Sequence, residues 1–282
     1  MYIKSPFNYI GNKYRLLPQI LPLFPEKCNV FYDVFCGGLD VSVNVRANKK
    51  VANDINHFLI EIMEFFKFND YDYILKEIEQ TISKYNLAKD NKESYYKFRD
   101  YYNKNKNPIY LYVLMCYSFN YQFRFNSKLD YNNPSGTNRS SFNRAMQERL
   151  YSFIETLDTI EFHNCNFKEF DYSIITKDDF VYCDPPYRTS VGSYNDGKRG
   201  FEGWGIEDDL ALFEILDSLD ARGVKFALSN VFFNNGFANQ ELAKWSEKYN
   251  VYTLKVNYSN SNYQRKKCFK TREVLITNYK GD

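Results

Sequence analysis

Apolar residues gather into short unbroken runs toward both ends of the chain and into helix-spaced stripes across its middle. NVFYDVFCGG, ending at Gly38, is a continuous apolar run closed by a glycine pair, the pattern of a strand buried on both faces. LDVSVNVRA, next in the chain, is expected to form a helix, and VANDI a second short strand ending in Asp54. HFLIEIMEFF has the spacing of an amphipathic helix. Ahead of these, YIGNK has turn character, and Tyr14 to Phe24 carries a helical pattern that Pro18 interrupts. Strand, turn, helix and strand in this order open a parallel α/β sheet.

From about Tyr71 the texture changes. Segments 73–85, 91–104 and 107–118 read as helices rich in Tyr, Lys and Asn, and SFNYQFRFNSKLDYNNPSGTNRSSFN then interrupts them. In that stretch Tyr121, Phe123 and Phe125 alternate with Gln122, Arg124 and Asn126, as in a hairpin or loop with one polar face. After a helix over 143–157, strand patterns return at TIEFHN, DDFVYCD, VKFALSN, NVYTLKV and REVLITN. Helices are expected from Ile206 to Leu219 and from Gln240 to Lys248. The chain therefore reads as one α/β body, residues 1–55 and 158–282, split by an insertion over 56–157.

Composition narrows the class. The 282 residues are 44% hydrophobic and 19% aromatic, enough to bury a full core. Cys28, Cys36, Cys116, Cys165, Cys183 and Cys268 include no C-x-x-C pair, and His57 and His163 stand alone, so neither zinc nor a disulfide framework is indicated. A reducing cytoplasm is the expected location. No run approaches the roughly 18 apolar residues of a membrane span, and MYIKSPFNYIGNKYR has no apolar signal core. Charge is uneven: residues 84–150 hold 12 Lys and Arg against 5 Asp and Glu, whereas the remainder holds 25 against 30. The insertion is thus the part suited to a polyanion.

Two strand ends carry candidate chemistry. In an open parallel sheet ligands bind at the carboxyl ends of strands, near the point where the strand order reverses. The glycines of FYDVFCGG let backbone approach a ligand there, and Asp54 comes at a spacing suited to ribose hydroxyls, which together suggest a nucleoside-containing cofactor. G-x-G-x-x-G is absent, which disfavours a nicotinamide dehydrogenase. In YCDPPY, the strand delivers Asp184 and two prolines stiffen the backbone after it. The Asp184 carboxylate and the Pro185 carbonyl then make a rigid acceptor pair for the two hydrogens of a planar amine, aiming its lone pair at an electrophile. Tyr187 is placed to stack on the ring bearing that amine.

SPFNYIGNKYRLLP, FYDVFCGG, ANDI, YCDPPY, KFALSN and TREVLITN, in this order, resemble the Dam family of DNA adenine-N6 methyltransferases, the phage-type members most closely. The resemblance implies a Rossmann-like methyltransferase domain with a mostly parallel seven-stranded sheet, and an inserted, mostly helical target-recognition domain with a β-hairpin. It implies S-adenosylmethionine as cofactor, contacted by Tyr9, Gly11, Lys13, Phe35, Gly37 and Gly38, with Asp33 near the amino acid moiety and Asp54 at the ribose. Asn166 and Phe167 would flank the cofactor's adenine, and Asp184, Pro185 and Tyr187 would grip a flipped target adenine. Gln122, Arg124 and Asn126, with Asn138 and Arg139, are the side-chain types that read duplex edges.

The expected activity is direct methyl transfer to adenine in a short duplex site, GATC by resemblance, without metal, by a monomer or weak dimer on double-stranded DNA. Two other readings stay open at the level of residues. One keeps the chemistry on RNA adenine or a protein glutamine amide, whose enzymes more often carry Asn at the first position of the tetrad. The other is a silent DNA-binding module on the same scaffold.

Overall fold

Strands of a parallel sheet are covered on both faces and so read as unbroken apolar runs. The structure, a computed structural model, describes residues 2–9, 11–188, 203–234, 237–255 and 272–281. Ile10, Thr189, Ser190, Val256, Cys268 and Thr271, which belong to segments or counts named above, lie outside the described residues. The strands are β1 (Val30–Asp33), β2 (Lys49–Asn53), β3 (Ile160–His163), β4 (Phe180–Cys183), β5 (Lys225–Asn234), β6 (Phe237–Ala238), β7 (Asn250–Leu254) and β8 (Arg272–Thr277). They form a sheet in the order β3-β2-β1-β4-β5-β8-β7, with the two-residue β6 pairing against β5. Neighbours from β3 to β5 are parallel, and β8 is antiparallel to both β5 and β7. The seven-stranded, mostly parallel sheet read from the sequence is this path.

The helices are α1 (Leu17–Ile20), α2 (His57–Lys67), α3 (Tyr71–Lys84), α4 (Lys92–Lys104), α5 (Pro108–Tyr117), α6 (Arg144–Ile154), α7 (Ile206–Ala221) and α8 (Gln240–Trp245). Asparagine caps five of them. Asn56, Asn91, Asn107, Asn143 and Asn239 each accept a backbone N–H of the first turn through the side chain. Pro18 and Pro22 confine the first helical pattern to α1 and a short 3-10 turn, since neither supplies the N–H a longer helix needs.

Two segments differ from the pattern reading. Residues 39–47 form turns rather than a helix: Leu39 has a φ of 65°, and three of the next six residues are β-branched valines. The side chains that would face outward are captured instead, Asp40 by the Ser5 N–H (3.3 Å) and Asn44 by the Ile3 backbone (2.8 Å in both directions). In the hairpin, pairing narrows to two isolated bridges, Ser118–Ser135 and Phe125–Tyr131, the second flanked by Asn126 N–H to Asp130 carbonyl and Asn132 N–H to Arg124 carbonyl, both 2.9 Å. Positive φ at Asn120 and Tyr121 ends the alternation on its upstream side.

The helices after β2 are not a separate layer. Ala52 and Ile160 of the sheet share one apolar cluster with buried residues of α2 to α6. Phe7, from the first motif, sits in that cluster with ring contacts to Phe66, Tyr112, Phe123 and Phe153 at 5.6–6.1 Å. A second aromatic group, Phe24, Phe31, Phe180 and Tyr182, packs around β1 and β4 and fixes the two central strands.

The loop that carries Arg124 is fastened at Gly136, whose N–H donates to the Tyr117 carbonyl (2.9 Å). A Cβ there would lie 2.6 Å from the Ser118 carbonyl oxygen and closer still to the Ser140 hydroxyl. Gly136→Ala is expected to lower the unfolding free energy by roughly 1–3 kcal/mol in chemical denaturation, through backbone displacement; an unchanged midpoint would contradict this packing.

Candidate active site

The strand order reverses between β1 and β4, and three carboxylates gather at that edge. Asp33 ends β1, Asp54 comes directly after β2 and Asp184 directly after β4. All three line a cleft of about 1180 Å³, together with Tyr9, Gly11, Lys13, Phe35, Gly37, Gly38, Asn166, Phe167, Pro185 and Tyr187. Every residue expected at the cofactor or the reacting amine thus borders one space, larger than needed for a single small ligand.

Local structure explains how the motifs meet. Gly37 has a φ of 46° and lies so near the Tyr9 ring that a Cβ would be 3.0 Å from its Cδ1, so only glycine suits the turn. Asp54 closes the same turn: its Oδ2 accepts the Gly37 N–H (2.9 Å) and its Oδ1 the Asn56 N–H (2.8 Å). The helix cap after β2 is Asn56, not Asp54. Asn53, which the sequence reading did not single out, ties the β1 and β3 ends together by donating to the Val34 and Cys165 carbonyls at 3.1 Å each.

One wall is aromatic. Phe35 and Phe167 are 5.4 Å apart by ring centroids, and Trp204 meets them at 5.5 and 5.0 Å. Trp204 is held by its indole N–H on buried Asp209 (2.8 Å). Nothing in FEGWG marked this residue beforehand; an aromatic just ahead of a helix has no distinguishing spacing. Arg188, next to Tyr187, pairs with the same Asp209 through Nε (3.1 Å), and its guanidinium also binds Asn239 (2.8 Å) and Glu241.

At the opposite wall Lys13 and Tyr187 converge on two carboxylates. Lys13 Nζ is 2.7 Å from Asp184 Oδ2, 3.6 Å from Glu273 Oε1 and 2.9 Å from the Gly11 carbonyl oxygen. The Tyr187 hydroxyl is 3.0 Å from Asp184 Oδ1 and 3.1 Å from Glu273 Oε1. Lys13, expected beside the cofactor, is here the counter-ion of Asp184, and Tyr187 points its hydroxyl at the acids. Among the described residues none donates a backbone hydrogen bond to the Pro185 carbonyl. Glu273 was missed; the signal was an acid opening the apolar run of TREVLITN.

The family model described as D12 class N6 adenine-specific DNA methyltransferase matches residues 9–260. The chain belongs to this class. It is 48% identical over 280 residues to the type II methyltransferase M.FokI of Planomicrobium okeanokoites, covering 99% of the chain and 43% of that protein. It is 46% identical to the modification methylase StsI of Streptococcus sanguinis, with the same 43% of that protein covered. The DNA adenine methylase of Escherichia coli is 27% identical, over 89% of the chain and 87% of that enzyme. The chain therefore spans less than half the length of the first two relatives.

Placement of the expected DNA-facing residues in this D12-class chain is mixed. Arg124 is exposed and borders the cleft. Asn126 uses its side-chain oxygen on the Lys128 and Asp130 N–H groups at 2.9 Å each, closing its own turn. Gln122, Asn138 and Arg139 do not border the cleft; the Gln122 carbonyl anchors Tyr131 and Asn133, and Asn138 sits at a φ of 63°.

Burial dominates the electrostatics. It pushes the Asp33 carboxyl up to about 7, against a 2.5 Å hydrogen bond from the Ser42 hydroxyl to Oδ2. Asp33 Oδ1 is buried, and among the described residues it has no hydrogen-bond partner. Burial likewise raises Asp184, opposed by the Lys13 charge, and raises Asp54, opposed by its two backbone donors. The Tyr187 phenol is pushed well above its ordinary range by burial and stays a donor.

Lys13 and Asp184 have side chains only 5% and 16% exposed, so removing one partner strands the other. Lys13→Met is expected to cost roughly 3 kcal/mol of stability at neutral pH. Without the ammonium the folded-state pKa of Asp184 rises further above its unfolded value. The deficit is therefore complete above that folded pKa and shrinks as pH falls toward the unfolded one. Denaturation at pH 7.5 and pH 4.5 checks this; a deficit that grows on acidification would contradict it.

Proposed function

We propose that the chain transfers a methyl group from S-adenosylmethionine to the exocyclic N6 amine of an adenine turned out of a short duplex site. The observation that carries this reading is the Asp184 carboxylate beside a Pro185 carbonyl to which no described backbone N–H donates, opening on a cleft with an aromatic wall. An amine there would give one hydrogen to each acceptor, leaving its lone pair directed at the methyl group.

The residues present fit the cofactor. Asp33 offers a buried, unpartnered carboxylate oxygen for an ammonium group, and the Phe35, Phe167 and Trp204 rings suit a purine face. Asn166 lines the same cleft beside them. The Gly37 and Gly38 turn admits backbone contact, with Tyr9 and Gly11 across from it, and Asp54 retains lone pairs for ribose hydroxyls. The cofactor supplies an electrophilic methyl on a positively charged sulfur. No covalent enzyme intermediate and no metal enter. Asp184 orients the amine and takes part in removing its proton, Pro185 fixes the plane, and Tyr187 stacks on the ring once its hydroxyl no longer donates to Asp184.

Extruding a base costs a few kcal/mol, which phosphate contacts offset. Arg124 and the exposed Lys4, Arg15, Arg149 and Lys255 border the cleft and are cations suited to such contacts. Residues 56–157 serve as the target-recognition unit on this reading, with Gln122, Asn138 and Arg139 reaching more distant parts of the site. The Dam-like expectation of GATC is tested by sequencing methylated bases in DNA from cells expressing the chain, and methylation confined to another site overturns it. A role in restriction-modification is supported by the names of the two relatives at 48% and 46% identity.

Asp184→Ala is expected to abolish methyl incorporation into duplex DNA while cofactor affinity changes little; normal turnover, or incorporation into RNA or protein instead of DNA in the parent chain, overturns the assignment. Cofactor binding should also titrate. Asp33, near 7 in the free protein, ionises when it meets a cation, so affinity rises as pH increases through about 7 and levels off above it. Isothermal titration across pH 6–8 in two buffers should show proton release; flat affinity would remove Asp33 from that role.

A further inference from the structure

Glu273 is the second residue of β8, directly ahead of the apolar run Val274, Leu275 and Ile276, and its side chain is 6% exposed. A buried acid in such a place is costly unless it is paired. Its partners come from elsewhere in the fold: Lys13 from the first motif and Tyr187 from the turn after β4. Both already serve Asp184, so two donors are shared between two carboxylates.

The sharing is close to even at Tyr187. Its hydroxyl carries one hydrogen, yet lies 3.0 Å from Asp184 and 3.1 Å from Glu273, so it donates to one acid at a time. Lys13 is nearer Asp184, at 2.7 Å against 3.6 Å, and a shift of under about 1 Å brings its ammonium into hydrogen-bond range of Glu273. In this arrangement both Asp184 oxygens are engaged by the protein's own donors, while the proposed reaction needs that carboxylate for the amine.

We propose that Glu273 is a positioning residue, the second acceptor onto which Lys13 and Tyr187 pass their hydrogen bonds when an incoming amine takes Asp184. This rests on the proposed role of Asp184. Releasing Tyr187 toward Glu273 also frees its ring to turn against the base. Without Glu273 the two donors stay on Asp184 and compete with the substrate.

The test uses the full chain, a duplex oligonucleotide containing the methylated site, and S-adenosylmethionine. Glu273→Ala is expected to raise KM for the duplex and lower kcat, roughly tenfold in kcat/KM, with cofactor affinity within about twofold of the parent. Glu273→Gln keeps an acceptor oxygen and should recover most of the loss. It should also move the acid limb of kcat/KM to lower pH. Asp184 faces Lys13, Tyr187, Tyr182, Asp33 and Glu273, and the Glu273 charge is among the influences that raise its pKa. Parent-like kcat/KM in Glu273→Ala overturns the proposal, as does a parallel loss of cofactor affinity, thermal stability and activity in both variants. If Asp184→Ala is inactive and Glu273→Ala is not, the functional reading survives and only this role falls; an active Asp184→Ala removes both.

Discussion

Three carboxylates gathered at the carboxyl ends of the parallel strands, Asp33 and Asp54 buried and Asp184 nearly so, are the constraint on which the rest depends. Charge taken out of water is expensive, and each acid is compensated differently. Asp54 is satisfied by backbone donors, which turns it into the clamp that shapes the glycine turn. Asp184 is held by an ammonium that travels in from the first motif. Asp33 is only half satisfied, by one serine hydroxyl. The acids thus differ in how far the protein itself satisfies them: two backbone donors for Asp54, an ammonium and a phenol for Asp184, one hydroxyl for Asp33.

That constraint also explains why the motifs are spread along the chain. Lys13 cannot reach Asp184 unless the segment before α1 is fixed, and Phe7 does the fixing by packing among Phe66, Tyr112 and Phe153. The helices after β2 therefore hold the reacting edge in place as well as carrying the basic surface. Asp209 does similar work on the other side, holding Trp204 and Arg188 from one buried carboxylate.

Much of this was legible in the sequence. Unbroken apolar runs marked β1 and β4, and their terminal acids and glycines marked the cleft, because strand ends and stiff turns leave strong local signatures. Contacts between distant segments did not. Trp204 has no spacing that reveals it, and the acid ahead of the apolar run at Glu273 does not say which residues it meets; both matter through tertiary proximity. The valine run at 41–45 was read as helix because the capture of Asp40 and Asn44 by the N-terminal segment is a long-range event. Asn126 was taken as a base reader by residue type, whereas its side chain closes a turn, a use that the same amide chemistry serves equally well.

Where the amine sits is measured most directly by a structure of the chain with its duplex target and a non-reactive cofactor analogue. The expected result is the amino nitrogen of one extruded adenine within about 2.7–3.2 Å of both the Asp184 carboxylate and the Pro185 carbonyl, with Lys13 moved toward Glu273. A complex in which Lys13 still occupies Asp184 and the base lies beyond its reach would contradict it.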